Sequence, residues 1–243
     1  MTASIKEIKI CVTKKTIDPY IYIPNFFAPY LVKLLLYTKI TPNQISLLLY
    51  LMYIPASILI ALNNHVVTGI ILLHLAILFD CSDGVLARVK QKTSFLGEYF
   101  EYISHETIPA YIFLALSMYS YQILKTPISL YLGLILLTSI LVIVSTGTSK
   151  QRMMYVHIKK TQKLPKKMVA GQLTKDSKGI LKLAFDIFQV ISSLGVLTAL
   201  ITIAYIFNFM QYLIFFYVFY FLAIAIYKFI YELKTGFKPW GLK

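Results

Sequence analysis

The chain is 243 residues long, 58% hydrophobic, and carries a formal net charge of +14. Soluble globular domains sit near about 45–50% apolar, so the composition excludes one; runs of this hydrophobicity predict an all-α, polytopic membrane protein. The charge does not point to nucleic acid, because 23 of the 24 Lys and Arg residues lie before Gln44, between Arg88 and Lys92, between Lys150 and Lys182, and from Lys228 onward. Taking the apolar runs between them as spans puts all of these on one side of the membrane, the cytoplasmic side under the positive-inside rule, and leaves only Lys125 elsewhere.

Residues 1–40 read as a cytoplasmic and interfacial segment. From Ile5 to Asp18 apolar residues alternate with Lys, and the apolar core of a secretory signal is missing, so cleavage is not expected. Over residues 24–37, Phe27, Tyr30, Leu31, Leu34 and Leu35 recur at helical spacing, with Lys33 and Lys39 for the headgroups. That pattern predicts either a helix along the cytoplasmic interface or a connector packed on the bundle. Thr41-Pro42-Asn43-Gln44 is a helix start, with Thr41 as N-cap, Pro42 in the first position and Gln44 reaching back.

Six transmembrane helices are expected within residues 41–235, at about residues 45–62, 66–87, 97–120, 128–148, 183–207 and 210–231. Pro55 and Pro109 fall inside spans one and three, where a kink is tolerated. Asn63-Asn64-His65, Lys125-Thr126-Pro127 and Asn208-Phe209 are the outer turns, and residues 236–243 form a cytoplasmic tail in which Trp240 is an interfacial anchor. An even number of spans leaves both termini cytoplasmic. Cys11 and Cys81 match no metal spacing and are expected to be reduced.

The chemistry concentrates between spans two and three. Asp80 and Asp83 are one turn apart on a helix, and Gly97, Glu101 and His105 follow at steps of four, so two helical faces present three carboxylates and an imidazole. An acid at a membrane helix centre costs about 2.5–3.5 kcal/mol, less toward the interface. A salt bridge to Arg88 could compensate one acid but not three. A divalent cation compensates all of them, since clustered carboxylates suit hard ions such as Mg²⁺, Mn²⁺ or Ca²⁺.

The run Asp80-x-x-Asp83-Gly84-x-x-Ala87-Arg88, eight residues, then Gly97 resembles the signature of the CDP-alcohol phosphatidyltransferase family. That signature continues with two further Asp residues, where this chain has Glu101 and His105. The resemblance implies an integral membrane enzyme that moves a substituted phosphate from a CDP-linked donor, CDP-diacylglycerol or another CDP-alcohol, to an alcohol acceptor and releases CMP. It implies Asp80, Asp83 and Glu101 as ligands of Mg²⁺ or Mn²⁺, Gly84, Ala87 and Arg88 beside the nucleotide, Gly97 giving the donor room, and a homodimer.

His105 stands where the family keeps the carboxylate that takes the proton from the attacking hydroxyl. An imidazole, with an unperturbed pKa of about 6.5, is a capable base at neutral pH. It also binds Mn²⁺ more readily than Mg²⁺. Gly84 alternatively serves close helix packing. Lys150 and Arg152, beside the end of span four, are either phosphate ligands or part of a basic surface held against anionic lipid. Asp186 either supports the site or pairs with Lys182. Two other functions fit the residues: a family member that binds a CDP-linked ligand or metal without turnover, and a small ion transporter, against which stands the lack of an internal repeat.

Overall fold

The computed structural model describes residues 3–12, 19–92, 94–161 and 190–235, and every regular element among them is helical. Helix α1 (Ile5–Ile10) opens on a reciprocal cap in which Ser4 Oγ accepts from the Glu7 N–H and the Glu7 carboxylate accepts from the Ser4 N–H. The cap makes a helix where the alternating pattern showed none, and it turns Ile8 inward against Val32, Leu35, Val85 and Leu86. After a 3-10 turn at Pro19–Ile21 comes α2 (Tyr22–Leu36), the predicted helix of the N-terminal segment.

Helix α2 has two apolar sides. Tyr22, Ile23, Phe26, Phe27, Tyr30 and Leu34 are exposed, whereas Ala28, Val32 and Leu35 are buried where the helix packs on α4. Leu35 therefore faces the protein, as in the second of the two readings of its spacing, a connector packed on the bundle. A helix apolar nearly all round gives periodicity no basis for choosing a face.

Helix α3 (Pro42–Ala61) begins with the predicted capping box, the Thr41 hydroxyl accepting from the Gln44 N–H and the Gln44 side chain accepting from the Thr41 N–H. Helices α4 (Val66–Lys90), α5 (Phe95–Leu124) and α6 (Ile128–Thr161) follow. Left-handed residues Asn63, Gln91 and Lys125 stand in the turns that end α3, α4 and α5. Gly69 lets α4 close on α3, since a methyl group there would stand 2.8 Å from the Ala56 carbonyl oxygen. Helix α6 continues past the expected limit at residue 148, and the chain resumes in α7 (Leu194–Ile206), a 3-10 turn at Met210–Tyr212 and α8 (Leu213–Thr235).

Five helices among the described residues are long and apolar enough to cross a membrane, as a polytopic protein requires. The expected span 183–207 is described only from residue 190, and there the chain bends at Ser193, whose hydroxyl caps α7 by accepting from the Val196 N–H. Asp186 and Lys182 lie outside the described residues. The interior is a continuous apolar core drawn from α3 to α8, with Tyr53, Leu73, Phe113, Leu116, Leu136, Ile201 and Tyr217 all buried. Helix α3 packs on both α4 and α5. That pairing brings the start of α3, the end of α4 and the start of α5 together, and the polar residues lie there.

Candidate active site

Asp80 and Asp83 are half-buried on α4, and Glu101 is exposed on α5. All three line one cavity of about 320 Å³. The two helical faces drawn from the spacing therefore border one cavity, because α3 packs on both α4 and α5. A second cavity of about 210 Å³ shares Asp83, Gly84, Arg88 and Glu101 with the first and adds Ala87 and Gly97. Six of the motif positions and the third carboxylate thus border one continuous polar region. His105 is exposed and lines neither cavity; the α5 residue that follows Glu101 into the first one is buried Ser104. A step of three continues the inward face here, where the pattern suggested a step of four.

Local contacts hold the acids in place. Ser46, one turn into α3, donates its hydroxyl to Asp83 Oδ2 at 2.6 Å. Ser94 caps α5 by accepting from the Gly97 N–H at 3.0 Å, and donates to Asn43 Oδ1 at 2.9 Å, tying the first turn of α3 to the first turn of α5. Gly97 suits this junction, for a methyl group there would stand 3.0 Å from Asn43 Oδ1 and Asn43 would have to give way. Its missing side chain makes room for Asn43 as well as for the cavity.

Arg88 reaches out of α4 and donates from Nε to the Cys11 carbonyl at 2.7 Å. Its Nη atoms lie over Gly84, where a methyl group would make ordinary contact with them at 3.5 and 3.6 Å. Gly84 thus faces a cation at the cavity wall, and the alternative of close helix packing does not apply to it. Lys150 and Arg152 lie on α6, but their side chains fall outside the described residues.

The donor set suits a hard divalent ion. Asp80, Asp83 and Glu101 are all carboxylates, and among the described residues no ion pair neutralises any of them. As placed, no three His, Cys, Asp or Glu side chains among the described residues close around a single point. Glu101 is the exposed member of the three. A divalent cation fits the chemistry of this donor set, and Asp80, Asp83 and Glu101 are the residues that would hold it.

Ser46, Asn43, Ser94, Lys92 and Asn25 also line the site and were not singled out from the sequence. Ser46 had a signal, being a polar residue one turn after the Thr41 cap of an otherwise apolar span. Asn25 had none.

The chain matches the profile of the CDP-alcohol phosphatidyltransferase family over residues 39–231. It belongs to that family. Members transfer a phosphoalcohol group from a CDP-alcohol donor, and the acids at the end of α4 and the start of α5 lie within the matched region. Over 179 residues, 72% of this chain, it is 32% identical to a Thermococcus kodakarensis protein described as a bifunctional IPC transferase and DIPP synthase. The matched region is 38% of that relative's length, so the chain spans well under half of it.

Proposed function

We propose that this phosphatidyltransferase family member is an active membrane phosphotransferase of phospholipid synthesis, moving a phosphatidyl or similar group from a CDP-linked donor to an alcohol and releasing CMP. The observation that carries the reading is the convergence of Asp80, Asp83 and Glu101, from two helices, on one polar cavity inside the family region. Bound by these three carboxylates, Mg²⁺ or Mn²⁺ would neutralise phosphate oxygens and stabilise both the entering and the departing oxygen. Arg88, over Gly84 at the second cavity, is suited to phosphate oxygens, and Ala87 and Gly97 leave room for the donor. His105 takes the proton of the attacking hydroxyl; this role rests on its register in the motif. Lys150 and Arg152 are proposed to meet a substrate phosphate. The reading places the site at the cytoplasmic leaflet with both termini cytoplasmic, supported by the one-sided distribution of Lys and Arg, and includes a homodimer, supported by family membership.

Purified protein should release CMP from CDP-diacylglycerol in a metal-dependent manner when offered inositol phosphate, glycerol phosphate, serine or ethanolamine. Asp83→Asn and His105→Ala should each remove that release. Full activity in His105→Ala would reject the imidazole as base. A second reading, binding without turnover, is favoured by the position of His105 outside both cavities. Metal-dependent CDP binding by a protein that releases no CMP from any donor and alcohol pair would select it.

A further inference from the structure

The two cavities differ in what surrounds the acids they share. The smaller one continues past the shared Asp83, Arg88 and Glu101 to Lys92, Asn43 and Ser94, which add a second cation and hydrogen-bonding groups. The larger one continues in the other direction to Asp80, Leu49, Ser104 and two residues of the N-terminal segment, Ile21 and Asn25. That segment lies before residue 39, where the family match begins. It is nevertheless fastened to the bundle at three points. Ile8 is wholly buried among Val32, Leu35, Val85 and Leu86. The Cys11 carbonyl accepts from Arg88. The Tyr20 hydroxyl bonds Nδ1 of His74 on α4, whose Nε2 bonds Thr202 Oγ1 of α7 at 2.8 Å. Ile21 and Asn25 are one turn apart, so a single face of the segment meets the cavity. The Asn25 side chain is half-buried there and has no hydrogen-bond partner among the described residues.

We infer that the N-terminal segment supplies one wall of the alcohol acceptor pocket and that Asn25 hydrogen-bonds the polar head of the acceptor. The inference rests on the transferase reading above. In an in-line displacement the alcohol oxygen bonds to the phosphorus as the bond from that phosphorus to the CMP oxygen breaks, so the two oxygens stand on opposite sides of it. CMP leaves with the bonding electron pair, and the hydroxyl proton passes to the base. The diphosphate of the nucleotide takes the lobe in which Lys92 adds a second cation to the shared Arg88. The entering alcohol then approaches from the lobe of Asn25, with Asp83 and Glu101 between them. An uncharged carboxamide both donates and accepts, which matches a hydroxyl-bearing group.

The test compares Asn25→Ala, Asn25→Asp and Lys92→Ala in the full chain, with each protein's thermal unfolding recorded beside its kinetics. With CDP-diacylglycerol and the alcohol that supports CMP release, Asn25→Ala should raise the KM for the alcohol by about three- to tenfold and leave that for the donor within about twofold. Lys92→Ala should do the reverse. Asn25→Asp, which keeps the volume, repeats the comparison if the alanine variant unfolds. Equal effects of Asn25→Ala on both substrates, or an effect on the donor alone, would overturn the inference. Calorimetric titration with CDP separates this from failure of the transferase reading. In a chain that binds CDP and releases no CMP, CDP affinity that falls in Lys92→Ala but not in Asn25→Ala still supports the assignment of lobes. CDP affinity that falls equally in both, or no CDP binding at all, rejects it.

Discussion

Ser46→Ala removes the one side-chain hydrogen bond made to Asp83 among the described residues, the 2.6 Å contact from Ser46 Oγ to Oδ2. A hydrogen bond to a charged group contributes about 1.5–3 kcal/mol, and about 1.4 kcal/mol is a factor of ten, so the loss spans roughly 10- to 150-fold. Two features of the site select the lower end. Ser46 is only half-buried at the cavity, so water can take the place of its hydroxyl, and Ser46 Oγ already divides its donation with the Pro42 carbonyl at 3.3 Å. The expected outcome is about a tenfold rise in the Mn²⁺ concentration that half-saturates CMP release, in line with other groups that orient a metal ligand. Ser46→Thr, which keeps the hydroxyl, should restore most of it. The assay is a metal titration of CMP release at saturating donor and alcohol, paired with thermal unfolding. A Ser46→Ala protein with parental metal dependence and a lower melting temperature would show that the hydroxyl serves packing and not the carboxylate.

Three further outcomes follow from contacts at the same junction. Arg88→Lys keeps a charge but cannot both bond the Cys11 carbonyl and lie over Gly84; the KM for CDP-diacylglycerol should rise about tenfold, and a parental value would remove Arg88 from the donor site. Gly97→Ala pushes a methyl group to 3.0 Å from Asn43 Oδ1 and 3.3 Å from Ser94 Oγ. It should destabilise by about 1 kcal/mol, read as a melting temperature lower by about 2–4 °C, and an unchanged melting curve would show that Asn43 simply turns away. Asp80→Asn should abolish CMP release while raising stability by about 1 kcal/mol in the presence of chelator, because a half-buried charge without a partner is removed. A lower melting temperature in chelator would refute that account of Asp80.

The sequence made the acid site legible because two constraints act on neighbouring residues. Membrane spans must be long and apolar, so the few acids within them stand out, and helical spacing then says which share a face. Asp80 with Asp83, and Gly97 with Glu101, came together for that reason. Spacing could not say how a helix turns about its axis. Ser104 rather than His105 follows Glu101 inward because packing against α3 sets the rotation of α5, and a four-residue step and a three-residue step are equally neighbours on a helix surface. Helix α2 escaped a full reading for a related reason. Its exposed and bundle-facing sides are both apolar, so Leu35 and Asn25 acquire meaning only once α4 is beside them. The Ser4 and Glu7 cap was readable in principle, since its spacing is the same as that of Thr41 and Gln44.

The position of the acids along the bundle follows from the same energetics that make them costly. At mid-membrane each carboxylate would cost about 2.5–3.5 kcal/mol, and packing alone would have to offset the sum. Near the helix ends that penalty falls, water and substrate can enter, and the chain can still hold the groups by helix packing and not by loops. The start of α3 meets this requirement through its cap, which fixes Asn43 and Ser46 relative to α4 and α5. Removing the charge of half-buried Asp80 should relieve the fold and disable the proposed chemistry. Stability and activity should therefore pull in opposite directions at Asp80, whereas at Ser46 and Gly97, which hold the junction of α3 with α4 and α5, they should fall together.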